Sequence, residues 1–523
     1  MHNAHFVAIT IGIDGRERFM KMFKFCLSLT GLYTLCFSQT AGPGEGFSWA
    51  AQNGAYCWYQ DPRAIYYKGA SEKTYIGFID NGGTAKVWSY DHGSGQTASA
   101  TLHTAFEKDD HDAPSLFLRN DGRITAYYTR HGTDRFIFYR TTVNPENIST
   151  WQAEDTIITP QTVNGTCYTH EFQLKNENNR IYLFTRNLGY GPTMIYSDND
   201  GAAWSTPRQV VTSADRPYAK YVSDGESRVH FAFTDGHPRD QPTNCIYYMY
   251  MEQGKFHKAS GALIKDTSAL PVKTGSAYEA DRVYNGATNG KAWIWDIALD
   301  AQKRPVLVFA VFPDDNNHHY YYARWTGTQW FTKDLVNAGK WFPQTPAGTT
   351  EPEPNYSPGA SLDHGDPSIV YLSRFVSGQC EIERWTTADS GKTWTSVSIT
   401  KGSAKRNVRP IVAWPQPFGA QPPAKKLVFW MNGDYVHYTN YSTGIKYCII
   451  PDQVAILPRS PVAIPNLAAG SVTALFSVTG KRLQRVSGNQ TQLSAAGLPA
   501  GIFLAGDGRT VHRIETCSRR IKP

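Results

Sequence analysis

The chain has 523 residues, of which 41% are hydrophobic, 13% aromatic and only 19% charged. That length can bury a large core, and the low charge with abundant Gly, Pro, Tyr and Trp excludes coiled coil and intrinsic disorder. The net charge of +7 is carried by the two ends, and residues 39–460 together come to −1. No diffuse basic surface is therefore available for nucleic acid, and any anion must be bound by a few placed side chains.

The first 38 residues read as an export signal with a spurious extension over 1–19. From Met20, Lys21 and Lys24 lead into the apolar run Phe25–Phe37. A run of that length falls short of the roughly 20 residues that span a bilayer but suits a signal-peptide core. Cleavage near Ser38 would start the mature chain at Gln39, and Leu35 is too bulky for a lipobox before Cys36. The expectation is a secreted or cell-surface monomer with no membrane span. Beyond the signal, Cys57, Cys167, Cys245, Cys380, Cys448 and Cys517 include no C-x-x-C pair, so they read as small buried residues rather than a zinc ribbon or redox motif.

From about 45 to 455 the chain is a succession of alternating strands, among them Lys73–Asp80, Arg180–Arg186 and Arg228–Thr234. Turn signals such as Asn120-Asp-Gly122 and Ser223-Asp-Gly225 join them in pairs. No helical stripe of useful length interrupts the pattern. Two segments, Ser197-Asp-Asn-Asp-Gly-Ala-Ala-Trp204 and Thr387-Ala-Asp-Ser-Gly-Lys-Thr-Trp394, share the form Ser/Thr-x-Asp/Asn-x-Gly-x-x-Trp. This is the Asp-box, a structural hairpin turn that recurs in β-propellers. At about 50–60 residues per four-stranded blade, the body predicts an all-β fold, a seven-bladed propeller. After the prolines at 458, 461 and 465 a small C-terminal β domain follows over 466–516.

The densest chemical signal is Asp109-Asp-His-Asp-Ala-Pro-Ser115, followed by Tyr127-Tyr-Thr-Arg-His-Gly132. His111 precedes one strand of a hairpin that turns at Asn120-Asp-Gly122, and His131 follows the other. The outer ends of a hairpin meet, so the two imidazoles should be neighbours at one rim of the propeller. Tyr168, Arg186, Arg216, Tyr218 and Tyr221 fall at strand ends in the next blades. An Arg closing an apolar strand, as Arg186 does, needs a carboxylate, a carbonyl or a ligand anion. His230, His237 and Cys245 form a loose set of ligand types, and His318-His319 and Asp363-His364 leave packing or sugar contact open.

These strings, "DDHDAPSL…DGRITAYYTRHG" with "TYIGFID…VWSYDH", "RPYAKY…VHFAFTDGHPRD" and "DHGDPSIVYLSR…TTADSGKTW", resemble the BNR-4 repeat propellers across 50–450. That group includes propeller-type ulvan lyases and α-L-rhamnosidases acting on rhamnose linked to glucuronate. The resemblance implies a lyase that cleaves an acidic, ulvan-like rhamnose–uronate polysaccharide by β-elimination. It implies His111, His131, Tyr168 and Arg186 as catalytic residues, with Tyr218 a further candidate; Arg216, Tyr221 and His364 join Tyr218 as substrate-binding candidates. It requires no cofactor for the chemistry; related lyases carry a structural zinc, for which His230, His237 and Cys245 are candidate ligands, while Asp235-Gly-His-Pro-Arg239 reads equally as a turn with His237 bonding backbone. In this chain the Tyr168–Arg186 interval is 18 residues, which departs from the lyase pattern. The stretch Gly54–Arg63 also lacks the His expected of the rhamnosidases. The competing readings are an exo-acting, rhamnosidase-like glycoside hydrolase and a non-catalytic carbohydrate-binding propeller. The tail resembles the sorting domains of type IX secretion in "Val-Thr-Gly-Lys" and "Leu-Pro-Ala-Gly-Ile-Phe", which makes secretion machinery an expected partner.

In an elimination, Arg186 would neutralise the uronate carboxylate, while His or Tyr removes the C5 proton and another donates to the leaving oxygen. A Tyr serves better as base where nearby cations favour its phenolate, and a His is usable at neutral pH without tuning.

Overall fold

The computed structural model describes residues 47–342 and 354–451, together with the backbone of six short strands between 462 and 516. The export signal at 1–38 and the start at Gln39 lie outside the described residues.

Residues Thr40–Asp452 form one compact unit. It is a seven-bladed β-propeller whose blades follow one another in chain order as antiparallel sheets, and the first also takes the short strand Trp414–Gln416 in parallel beside Ala64–Lys68. The innermost strands of the blades' antiparallel sheets are Ala64–Lys68, Ser115–Leu118, Cys167–Leu174, Ala219–Ser223, Lys291–Leu299, Ala360–Leu362 and Arg406–Val412. The last blade takes its outermost strand, Ser48–Ala51, from the start of the chain, pairing Ser48 with Tyr447. Hydrogen bonding between the two ends of the unit closes the ring and pairs that edge of the blade.

The expected alternation is muted where blades pack face to face. Arg228–Thr234 is buried at every position after the first, because both faces of a middle strand meet a neighbouring blade. Outer strands such as Thr395–Ser398 are exposed throughout. Both Ser/Thr-x-Asp/Asn-x-Gly-x-x-Trp segments are hairpin turns between the third and fourth strands of their blades. In the second, Gly391 donates its amide to Thr387 Oγ1 at 2.8 Å and Thr393 donates to Asp389 Oδ1 at 2.8 Å. Trp394 sets its ring edge-on to Tyr322 of the preceding blade, with centroids 5.0 Å apart.

Cys57, Cys167, Cys245 and Cys380 are buried free thiols, as their scattered spacing suggested. Among the described residues no helix is long and apolar enough to cross a membrane. The C-terminal strands belong to a second unit, in which Arg482–Arg485, Ala474–Ser477, Gly501–Gly506 and Val511–Thr516 form one antiparallel sheet in that order.

Candidate active site

Every innermost strand begins on the same face of the ring. Residues just before those strands, and just after the strands that follow them, meet there around the axis. His111 precedes Ser115–Leu118 and His131 follows Ile124–Tyr128, so the hairpin carries both to this face. Their rings stack 3.8 Å apart at 13°.

Asp109 holds the pair. It caps the single 3₁₀ turn Asp110–Asp112, accepting the His111 amide on Oδ1 at 2.9 Å. The same oxygen accepts His111 Nδ1 at 2.6 Å, and Oδ2 accepts His131 Nδ1 at 3.0 Å. The turn is anchored in its own right. The Asp110 amide donates to the Tyr438 carbonyl at 3.0 Å, the Cys57 amide donates to the Asp110 carbonyl at 2.8 Å, and Asp110 Oδ2 accepts from Arg409 Nη1 and the Tyr435 hydroxyl.

The two imidazoles occupy different electrostatic environments. Burial opposes charge on His111, yet the Cys57 sulfur and the Asp109 and Asp110 carboxylates outweigh it and hold the ring well above the usual histidine range. Burial and the neighbouring His111 push His131 down to about 4, against the pull of Asp109. Asp109 itself is kept ionised far below the usual carboxylate range: burial opposes this, and the two histidines prevail. The pair thus carries one proton beyond its two neutral rings, placed on His111.

Arg186 ends the strand Arg180–Arg186, opposite Cys167 in register. Its guanidinium carbon lies 4.6 Å from the Tyr168 ring centroid, 4.5 Å from that of Tyr190 and 5.4 Å from that of Tyr218. The residue is 5% exposed, and its buried Nε and Nη1 have no hydrogen-bond partner. No carboxylate pairs with it among the described residues. A buried guanidinium with only aromatic faces and the Cys167 thiol beside it is incomplete until an anion arrives.

Tyr168 sits at a bulge in its strand with φ of +63°. Such a left-handed, non-glycine position re-aims a side chain at the expense of local strain. Burial pushes its phenol well above the usual tyrosine range, and the Arg186 charge does not reverse this. The shift favours the neutral phenol, a hydrogen-bond donor, in the resting side chain.

A cavity of about 160 Å³ joins these groups, lined by His111, His131, Tyr168, Arg186, Tyr190, Arg216, Tyr218, Trp58, Tyr59, Trp293, Tyr356 and Tyr438. Four expected catalytic residues and two of the expected binding residues, Arg216 and Tyr218, are thus together. Two others are elsewhere. Tyr221 faces the core between blades, with its ring centroid 4.6 Å from His170 and 4.8 Å from Phe184. His364 lies past the far end of Ala360–Leu362, stacked on Trp414 at 3.7 Å with Nε2 3.1 Å from Asp296. His318 is also structural, bonded to the Gly339 carbonyl at 2.7 Å and to Ser357 at 3.1 Å.

Six wall residues had no signal in the sequence: Trp58, Tyr59, Tyr190, Trp293, Tyr356 and Tyr438. Tyr438, at the tip of the hairpin formed by Lys425–His437 and Asn440–Pro451, sets its ring edge-on to both imidazoles at 5.0 and 5.2 Å. The cavity wall includes no carboxylate.

The residues proposed for zinc do not fit it. His230 Nδ1 bonds the Tyr248 hydroxyl at 2.6 Å, His237 Nδ1 accepts the Arg239 amide at 3.0 Å, and the Cys245 thiol faces the Thr243 carbonyl at 3.2 Å. They are not gathered as ligands among the described residues. Asp109, His111 and His131 form one close group of ligand types, and Cys57, Asp110 and His111 another.

The fold and this aromatic, cationic cavity define a propeller with a site on one face of its axis. Residues 73–338, just over half of the chain, match the BNR repeat-containing family, to which the protein belongs. No curated protein matches it. Among solved structures it is similar to a polysaccharide lyase of family PL25, an ulvan lyase, bound to -[GlcA(1-4)Rha3S]-. Identity is 16%, over 77% of this chain and 95% of that one, with a TM-score of 0.58. The PL25 ulvan lyase described without that saccharide matches with the same figures. A lectin, BP39L from Burkholderia pseudomallei, matches at 11% identity over 76% and 97% of the two chains, with a TM-score of 0.42.

Proposed function

We propose that this protein is a lyase that cleaves a uronate-containing, ulvan-like rhamnose–glucuronate polysaccharide by β-elimination. The observation that carries the reading is Arg186, a buried guanidinium with no carboxylate partner, in the same cavity as a histidine pair. The substrate's uronate would supply the missing anion. Neutralising that carboxylate lowers the cost of removing the C5 proton, because the enolate charge develops on the same group.

His131 is the base. Its neutral ring donates Nδ1–H to Asp109 and so presents the Nε2 lone pair. The C5–H electron pair forms the C4=C5 double bond as the C4–O bond breaks. The leaving oxygen takes the Nε2 proton of the His111 imidazolium. The histidine pair begins and ends with one extra proton, which returns from His131 to His111 between turnovers. Tyr168 and Tyr218 flank the guanidinium and orient the carboxylate.

A hydrolase working through two carboxyl groups would need them about 5–10 Å apart across the scissile bond. Of the three nearby candidates, Asp109 is committed to the histidines, Asp110 to Arg409 and Tyr435, and Asp112 does not line the cavity. The N-terminal apolar run would deliver this activity outside the cell, with the C-terminal domain as its sorting signal.

The test is to incubate the protein with ulvan-like substrate and follow absorbance in the ultraviolet together with reducing ends. Elimination raises both, since the new double bond is conjugated with the carboxylate. Reducing ends without absorbance would replace the lyase with a hydrolase. Binding with neither signal would leave a carbohydrate-binding propeller.

A further inference from the structure

Asp109 has two roles available to it. It caps a short turn, which any good N-cap residue could do. It also bonds two imidazoles at once, which a cap has no need to do.

An ionised carboxylate only accepts hydrogen bonds, so each Nδ1 facing Asp109 must carry a hydrogen. Nδ1–H of His111 reaches Oδ1 at 2.6 Å and that of His131 reaches Oδ2 at 3.0 Å. Both rings therefore turn Nε2 away from the carboxylate, and a neutral ring in this tautomer keeps its lone pair on Nε2. The rings face each other at 3.8 Å and 13°, a separation at which two imidazolium ions would repel strongly in a buried site.

The surroundings decide which ring is charged. Asp110 Oδ1 lies 3.1 Å from His111 Nδ1, and Cys57 is also on the His111 side. Arg186 acts unfavourably on a charged His131. Arg409 neutralises the other oxygen of Asp110. Glu107 and Asp112 flank Asp109, and burial with the negative charge of Asp109 drives Asp112 towards its protonated form. Tyr168 and Tyr438 cover the remaining approaches to the two rings, at 5.0–6.1 Å.

We propose that Asp109 is the positioning residue of this site, a single carboxylate that fixes the tautomer of both histidines and confines the pair to one extra proton. It couples the acid to the base, so that the proton removed by His131 restores His111. The consequence for the reaction rests on the lyase reading above, whereas the tautomer arrangement stands independently of it.

The decisive variant is Asp109→Asn. Asn caps a turn as well as Asp does, so a purely structural Asp109 would leave kcat unchanged. The carboxamide can accept from one Nδ1–H but presents N–H groups to the other ring, which must then move its hydrogen to Nε2 and lose its lone pair from the cavity. The expected result is a Tm within a few degrees of wild type and a KM within about threefold. A kcat loss of at least about 100-fold is expected, as for other lost acid–base catalysis, with an altered pH profile. Nitrogen NMR of histidine-labelled wild-type protein, without substrate, should show both His111 and His131 carrying hydrogen on Nδ1. In Asp109→Asn one of them should switch to the Nε2–H tautomer. Wild-type kcat in this variant, or a neutral Nε2–H tautomer for either ring in the wild type, would overturn the proposal. Should the variant fail to fold, the wild-type spectrum alone decides. Correct tautomers with no unsaturated product would refute the lyase and leave the positioning role in place.

Discussion

His111 and His131 stand 20 positions apart in the chain, yet their imidazoles stack at 3.8 Å with both Nδ1 atoms on the one carboxylate of Asp109. The acid–base expectations for the protein turn on how this pair divides its proton.

The first expectation concerns pH. His131 is held near 4 and is neutral above that value, so the base is available from about pH 5 upward. Wild-type kcat/KM should hold down to about pH 5 and fall below it as His131 takes up a proton. His111→Gln should lower kcat at least about 100-fold. It should also move the acid limb of the residual activity upward, because the neighbouring positive charge that depresses His131 is gone. A pH–rate profile of both proteins checks this, and an unmoved acid limb would mean that the two rings do not interact.

Arg186 should reveal itself through carboxylate binding. A short uronate-bearing oligosaccharide should raise the Tm of the wild-type protein and leave that of Arg186→Ala unchanged, since ligand binding to the native state alone is stabilising. Arg186→Ala should also lower kcat, the guanidinium mattering most as the enolate forms. Arg186→Lys should recover only part of the loss, because an ammonium cannot reproduce the planar two-pronged contact. Thermal shift and steady-state kinetics on the three proteins suffice.

Tyr168 combines a left-handed backbone with a neutral phenol. Tyr168→Phe keeps the ring against Arg186 and removes only the hydroxyl, so Tm should change little while kcat falls by about 10-fold or more. Tyr168→Gly relieves the strained φ but deletes the ring that caps the guanidinium. It should abolish carboxylate binding in the same thermal-shift assay. Full activity in Tyr168→Phe would remove the hydroxyl from the mechanism.

Glu171 provides a stability test away from the chemistry. Burial pushes its carboxyl up to about 8, and its Oε1 accepts from Ser115 Oγ at 2.8 Å. In the unfolded chain the group ionises near 4.5, so between those values the native state binds more protons than the unfolded one. Stability from this group is complete below about pH 4.5 and declines as pH rises to about 8. Glu171→Gln lacks that decline. Denaturation at pH 5 and pH 8 should show the variant gaining at least about 2 kcal/mol on the wild type between the two, since each tenfold change in proton affinity is worth roughly 1.4 kcal/mol. Parallel pH dependences would mean that Glu171 is ionised in the folded protein.

The propeller and half of its site were legible along the chain because they follow from local rules. Period-two strands, Asn-Asp-Gly turns and the two Trp-bearing turns specify four-stranded blades. A hairpin brings its own ends together whatever surrounds it, so His111 and His131 could be paired from the turn at Asn120-Asp-Gly122 alone. Arg186 stood out because a cation closing an apolar strand needs a carboxylate, a carbonyl or a ligand anion. Tyr221, chosen with its neighbours Arg216 and Tyr218, and His364, for which packing was left open beside sugar contact, are carried away from the cavity by the pleat and the direction of the inner strands.

What the sequence by itself determined, then, is the repeating blade and the chemistry that each hairpin delivers to one face of the ring. Only the tertiary structure decided which hairpins meet across the axis, since ring closure sets Trp58, Trp293, Tyr356 and Tyr438 beside residues far from them in the chain. It also decided the protonation of the pair. That depends on burial and on the distances to Cys57, Asp109 and Asp110, and these exist only once the blades have closed around the axis.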